Sequence, residues 1–396
     1  MKVAFFMSEK HSGRGGTEQV LLDIFESLQA ENINCSLYYL YQFAFPDFLK
    51  KLRGKVCFYN SMPQVLARKH LLRPRFLFRY CYEKSKRDII HKIAKDRPDI
   101  LLVVNMNPEF APYIKLFKTL CPNTPVLSYF HLSINNQLQE HSTVEFLHLF
   151  DAHVAISSGM KDDIFAVVKN KPIYLVYNPI KSAAPVLRAQ DATKFIYLGR
   201  CDDKNKRVYE LLRIMERLRG KWTLDIFGNG GDDPQEIERI EAFIAEQLPD
   251  KVKFHGWQEK PWEMIEEASV LLLHSNSVEE VQPLVLCEAM ARGIPCVSSF
   301  CAPGLREILV PEQNGWLYDL DDEEACQKIL QDIIDKKITL PPPCEVTESM
   351  RKFSAEQVTA NFISALESEI KKHKIKNQLD KSVESLRPKI PRLRSE

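Results

Sequence analysis

Two glutamates, Glu280 and Glu288, enclose the seven residues V-Q-P-L-V-L-C. Carboxylates so placed accept hydrogen bonds from uncharged, hydroxyl-rich molecules such as sugars. The plain alternative is that Glu280 complements a helix dipole and Glu288 sits on a solvated face. Cationic residues suited to phosphate oxygens occur elsewhere. Arg200 offers a planar fork and Lys206 a movable point charge, with Lys204 competing for the same part. Arg200 can instead form a surface salt bridge with Asp202 or Asp203. Gly15 and Gly16 stand between an apolar run and an amphipathic one, where backbone N–H groups can approach an anion; otherwise they form a tight turn. His131 follows the apolar run Val126 to Phe130, a place where a lone histidine is often structural.

The elements that must position these residues are legible around them. Val270 to Leu273 suits a doubly covered parallel strand, and His274 to Ser277 is a polar loop. Pro283 suits a first helical turn, Leu284, Val285, Leu286, Ala289 and Met290 can pack a helix on a sheet, Gly293 ends it, and Ile294 to Val297 begins the next strand. Glu280 is thus expected in a strand-to-helix loop and Glu288 about one and a half turns into the helix. Strand signals recur near Val3, Cys35, Ile100, Val126, Ala152 and Ile173, and again near Lys194, Thr223, Val252, Val270, Pro295 and Trp316, with helices between them. That alternation predicts an α/β fold of two Rossmann-like, doubly wound parallel-sheet domains, separated by a stretch from Asn178 to Asp191 and facing a central cleft. Expected boundaries are 1–180, 181–352, a helix over 353–372 carrying Val358, Phe362, Leu366 and Ile370 on one stripe, and a basic disordered tail over 373–396.

Composition sets limits. With 396 residues, 45% apolar and 27% charged, the chain is long enough for two domains with full cores. No run approaches the roughly 18 apolar residues of a membrane span, and Val3 to Met7 is too short for a signal peptide. The ten cysteines show neither C-x-x-C nor zinc spacing and read as reduced thiols in the cytoplasm. The net charge of +1 hides a basic segment from Arg68 to Arg97, with eleven Lys/Arg against three acids and interleaved aromatic residues. It reads equally as a membrane-surface contact and as a solvated amphipathic helix. No recognised motif supports nucleic-acid binding.

E-x7-E followed by A-M-A-x-G-x-P-x-V resembles the signature of the retaining GT-B glycosyltransferases of the GT4 family. Further motifs follow in that family's order: G-R-G-G-T-E at Gly13 to Glu18, F-H-L-S-I at Phe130 to Ile134, Y-N-P-I at Tyr177 to Ile180, I-Y-L-G-R at Ile196 to Arg200, K-N-K-R-V at Lys204 to Val208, D-I-F-G-N-G at Asp225 to Gly230 and V-K-F-H-G at Val252 to Gly256. Within the family, the N-K-R-V segment and the aromatic residue before H-L-S lean toward bacterial lipopolysaccharide 1,6-galactosyltransferases. The resemblance implies a UDP-sugar donor, galactose or glucose, and a lipopolysaccharide-core or other surface-glycan acceptor. It also implies a retaining mechanism and a peripheral place on the cytoplasmic face of the inner membrane. Arg200 and Lys206 would clamp the diphosphate together with Gly15 and Gly16, Glu288 would take the ribose, and Glu280 and His131 the donor hexose near the reacting centre. Gln282 and Leu284 fall on the donor side, and the last helix would cross back to the first domain. Val281 and Gln282 depart from the family's frequent Gly-Phe, so this end of the pocket is expected to differ.

No cofactor and no metal are expected. Asp319-Leu320-Asp321 has the spacing of a cation-binding D-x-D, but it precedes Glu323-Glu324-Ala325 and reads as a cap and an acidic first turn. Two other classes compete. A dinucleotide-dependent oxidoreductase fails because Glu18 occupies the third glycine of G-x-G-x-x-G. A noncatalytic glycan-assembly partner with the same fold is the remaining alternative.

Overall fold

In a computed structural model the chain is described over residues 1–8, 16–40, 47–52, 57–60, 75–134, 138, 140–202, 204–230, 234–276, 281–302 and 304–386. Gly15, Glu280, Asp203, residues 68–74 of the basic segment and the tail from 387 onward lie outside these.

The first sheet is built from β1 (Lys2–Met7), β2 (Asn34–Tyr39), β3 (Cys57–Asn60), β4 (Ile100–Val103), β5 (Val126–Tyr129), β6 (Ala152–Ala155) and β7 (Ile173–Leu175). Its order is β3-β2-β1-β4-β5-β6-β7, with every pairing parallel. The second sheet contains β8 (Thr193–Leu198), β9 (Trp222–Phe227), β10 (Val252–Phe254), β11 (Val270–Leu273), β12 (Cys296–Ser299) and β13 (Gly315–Tyr318). Its order is β10-β9-β8-β11-β12-β13, again all parallel. The architecture expected from the alternating pattern is the one observed, except that β3 has no counterpart in the sequence reading. It is a four-residue edge strand, C-F-Y-N, with no long apolar run to mark it. The strand expected from Ile294 begins two residues later, at Cys296.

Each sheet reverses its strand order once, beside β1 and beside β8. In open α/β sheets the crevice at such a reversal, outside the carboxyl ends of the strands, is where ligands bind. Gly16 opens the helix that follows β1, and Arg200 follows β8. The central strands are apolar along their whole length because helices cover both faces; Phe5, Phe6, Ile196 and Tyr197 are fully buried.

The helix Ala355–Leu386 returns to the N-terminal half. Val358, Phe362 and Leu366 enter that half's core and Ile370 packs on its margin, with the Phe362 ring 5.2 Å from Tyr129. The helix runs past residue 372, where the sequence reading ends it, because residues 373–386 contain no glycine or proline to break it and include three Lys and two Leu, good helix formers. Beyond His373, whose ring nitrogen lies 3.2 Å from the Pro122 carbonyl, Ile375 and Leu379 are exposed.

Polar contacts lock the two halves together. Glu307 accepts hydrogen bonds from the Ser158 N–H and the Tyr177 hydroxyl, each at 2.7 Å. Gly304 approaches so closely that a Cβ there would lie 2.5 Å from the Val281 carbonyl and 3.0 Å from Ser157 Cβ. Lys181 pairs with Asp23 at 2.7 Å and Glu26 at 2.6 Å. Val281, from the second half, is buried in the first half's core.

Replacing Phe362 by alanine is expected to remove about 3–5 kcal/mol of unfolding free energy in a urea titration, whereas Ile375→Ala stays within about 0.5 kcal/mol. His153 on β6 is fully buried, 2.8 Å from Ser128 Oγ, and burial pushes its pKa down from 6.5 to about 3. The unfolded chain therefore takes up this proton first. The stability that neutral His153 contributes is complete above about pH 6.5 and is lost on acidification toward 3, with a slope of up to about 1.4 kcal/mol per pH unit. Melting temperatures followed over that window should fall less steeply for His153→Asn.

Candidate active site

A cavity of about 290 Å³ lies between the carboxyl ends of the two sheets. The first half contributes Gly16, Thr17, Val20, His131 and Leu132; the second contributes Arg200, Lys206 and the run Val281 to Val285; Asn178 comes from the linker. Of the residues expected at a site, Gly16, His131, Arg200, Lys206, Gln282 and Leu284 meet here. Gly15 and Glu280 lie outside the described residues.

The cationic wall is held by a turn. Asp202 Oδ1 accepts from the Asn205 N–H at 2.6 Å, and the Asp202 carbonyl accepts from the Lys206 N–H at 3.0 Å. The Asn205 carbonyl is gripped in turn by the Ser275 hydroxyl at 3.0 Å and the Asn276 N–H at 2.8 Å. Ser275 is itself tied to Ser299, which accepts from the Ser275 N–H and donates to its carbonyl, both at 2.8 Å. Arg207 then adopts a left-handed conformation (φ 43°) before the helix Val208–Glu216. A non-glycine residue there is strained by on the order of 1–3 kcal/mol, which its ion pair with Glu210 helps to offset. Lys206 is directed into the cavity, whereas Lys204 is exposed and does not line it. The Arg200 side chain is largely exposed, with Nε 3.7 Å from Asp202 Oδ2, too long for a tight salt bridge.

Behind this wall the loops after β8, β9 and β10 are knitted together. The Gly199 N–H bonds to the Phe227 carbonyl at 3.0 Å and the Gly228 N–H to the Gly256 carbonyl at 2.9 Å. Gly228 admits no side chain, since a Cβ would fall 1.8 Å from the Gly199 carbonyl oxygen. His255 stacks on Phe227 at 4.3 Å and meets Asp225 at 2.6 Å. His274, buried at the end of β11, sits 2.6 Å from the Tyr318 hydroxyl and 3.2 Å from Glu210, and burial holds its pKa below the usual value.

On the opposite wall, Gly16 is the first residue of the helix Gly16–Ala30, whose N-terminal amides favour an anion. His131 follows β5, its ring edge-on to Tyr129 at 4.3 Å. Leu284 opens the helix Leu284–Met290 directly after Pro283, which stands at the N-cap in extended conformation rather than inside the first turn.

Two expected donor residues are placed differently. Glu288 does not line the cavity; its Oε2 accepts from the Trp262 indole N–H at 2.9 Å, and burial raises its carboxyl pKa. Trp262 is in turn covered by the Arg292 guanidinium at 4.3 Å. Gln282 lines the cavity, but its side-chain amide is engaged with the backbone of Asn178. Asp319 and Asp321 do not line it; Asp321 faces Arg207 at 3.9 Å, and Asp322 caps the helix Glu323–Ile334 through the Ala325 N–H at 2.8 Å. Thr17, Asn178 and Val285 were not anticipated. Thr17 stands in G-R-G-G-T-E and Asn178 in Y-N-P-I, but the first reads as a glycine loop and the second as a link, and Val285 reads as a packing residue of its helix.

The arrangement offers cations and helix amides to an anion, and neutral polar groups to what the anion carries. The family described as glycosyl transferases group 1 matches residues 181–357. Lipopolysaccharide 1,6-galactosyltransferase of Escherichia coli (strain K12) is 31% identical over 387 residues, covering 92% of this chain and 99% of that protein. The apo structure of lipopolysaccharide outer core galactosyltransferase WaaB has a TM-score of 0.75 at 26% identity, covering 93% of this chain and 100% of its own. HepE of Anabaena, solved in complex with UDP-glucose, shares the fold with a TM-score of 0.70 at 14% identity, covering 92% of this chain and 99% of its own. The chain belongs to the group 1 glycosyltransferases and has the GT-B fold.

Proposed function

We propose that this glycosyltransferase moves a hexose, galactose or glucose, from a UDP-sugar to a lipopolysaccharide-core or related surface-glycan acceptor, with retention of anomeric configuration. The observation that carries the reading is the meeting of Arg200, Lys206 and the Gly16 helix N-terminus around one cavity. As the bond from the anomeric carbon to the diphosphate oxygen breaks, negative charge grows on the leaving group, and these groups are aimed at it in advance. The acceptor hydroxyl forms its new bond to the same face, and its proton passes to the departing phosphate, so no protein nucleophile is required. Side-chain cations meet the charge of the diphosphate, which favours a metal-independent reaction. His131 and Glu280 would contact the hexose, and Glu288, which lies outside this cavity with one oxygen held by Trp262, is assigned the ribose by the family resemblance.

The helix Arg75–Asp96 supports a peripheral position on the cytoplasmic face of the inner membrane. Its inner side joins the core through Ile89, Ile90 and Ile93, and Lys86 is buried against Tyr82, 4.1 Å from the ring centre. Tyr80, Lys84, Arg87, His91 and Lys95 are exposed along one stripe, a basic face with an aromatic end suited to anionic lipid.

A panel of UDP-sugars read by UDP release should yield one productive hexose donor, with turnover that survives EDTA. Arg200→Ala and Glu280→Ala are each expected to lower kcat/KM by about 10²-fold or more. If every donor is inert while UDP still binds, the protein is a noncatalytic partner; turnover restored only by Mn²⁺ or Mg²⁺ contradicts the metal-independent reading. Flotation with phosphatidylglycerol vesicles is expected for the wild type and should be lost when Lys84, Arg87 and Lys95 are all changed to glutamate; equal flotation of both proteins removes the membrane assignment.

A further inference from the structure

Asn178 is held in the fold by its backbone. Gln282 Oε1 accepts from the Asn178 N–H at 2.7 Å, and Gln282 Nε2 donates to the Asn178 carbonyl at 3.2 Å. One side-chain amide thus satisfies both backbone groups of a residue in the linker, as a neighbouring strand would. Both residues are almost entirely buried, at 4% and 6% exposure. The Asn178 side chain is left over: its Oδ1 is shielded from solvent and receives no hydrogen bond from the described residues. A buried carbonyl oxygen without a donor is costly and uncommon in folded proteins, and where one survives at a cavity wall a ligand is a natural source of the missing proton donor.

Asn178 and Gln282 line the same cavity as Arg200, Lys206 and His131. The chemistry of an amide oxygen narrows what can complete it. A diphosphate presents acceptor oxygens to its surroundings and cannot serve, whereas a sugar hydroxyl can donate. Ribose and hexose are both joined to the diphosphate; of the two, the hexose is the one the proposed function sets beside His131, which lines this cavity together with Asn178.

We propose that Asn178 Oδ1 accepts a hydrogen bond from a hydroxyl of the donor hexose, and that Gln282 is the positioning residue that presents it. The inference rests on the nucleotide-sugar reading above and adds to it a determinant of the sugar. It also gives Gln282 a role, since the amide there both receives from and donates to the linker, which an apolar residue at this position cannot do.

The test is calorimetric titration of wild type, Asn178→Ala and Gln282→Glu with UDP and with the UDP-sugar the panel identifies, together with steady-state kinetics. Asn178→Ala is expected to weaken the UDP-sugar about tenfold while leaving UDP within about twofold. Its melting temperature should hold, because the deleted amide oxygen makes no hydrogen bond to the described residues; Asn178→Ser provides a second variant for the same measurement. Gln282→Glu, which can accept from the linker N–H but cannot donate to the carbonyl, should raise KM for the UDP-sugar and leave UDP affinity in place. Equal weakening of UDP and UDP-sugar, no change in either, or a change confined to the acceptor KM overturns the proposal, since these outcomes assign the oxygen to the ribose, to nothing or to the acceptor. A wild type that binds UDP but no UDP-sugar overturns it as well. If the wild type binds neither, the nucleotide-sugar reading itself is removed, and the inference with it.

Discussion

The site exists only while two separately folded sheets hold their carboxyl ends toward each other, so the contacts across that junction are the constraint on which the rest depends. Glu307 is central among them. Its carboxylate joins the first turn of the helix Ser158–Val167 to the Tyr177 hydroxyl, so one side chain of the second half is bonded to the first half and to the linker together. Gly304 lets its loop close on the Val281 carbonyl of the same half and, across the junction, on the Ser157 side chain, with no room for a side chain of its own. The helix Ala355–Leu386 adds an apolar tie by placing Val358, Phe362 and Leu366 in the far core. Apolar burial supplies the strength of this junction, and the buried polar pairs give it a defined geometry.

Within each half, rigidity is concentrated where charge must be aimed. The turn from Asp202 to Lys206 has its own hydrogen bonds and is gripped from outside by Ser275 and Asn276. The left-handed Arg207 beyond it is the sort of local strain that persists only when neighbours over-determine the conformation. The result is a lysine brought to the cavity wall by its backbone, an arrangement that costs little reorganisation when an anion arrives. Glu288 shows the same principle applied to an anion, since the Trp262 indole fixes one of its oxygens and Arg292 covers the indole.

Several residues that look chemical in the sequence are structural in the fold. His153 is neutral and sealed in β6 beside Ser128. His274 braces β11 against β13 and the helix Val208–Glu216. Lys86, counted in the sequence among the charges of a basic segment, lies under aromatic rings and pairs with Glu83 at 3.2 Å. Each has a charge or ring that composition counts but burial removes from the surface, and only coordinates distinguish such groups from the exposed stripe of Lys84, Arg87 and Lys95.

The sequence by itself determined the alternation of apolar strands and amphipathic helices, and with it two parallel sheets. Gly16 was legible because it stands between the first apolar run and the amphipathic run after it, and Arg200 because it closes the strand motif I-Y-L-G-R. Lys206 was legible as one of two lysines, because spacing alone cannot say which side of a turn faces inward. Tertiary structure decided that choice through the Asp202 turn. It also decided that Gln282 reaches the linker and Glu288 reaches Trp262, and that Asn178 is a cavity wall. Those are pairings between residues far apart in the chain, set by how two sheets dock, and no local periodicity encodes them.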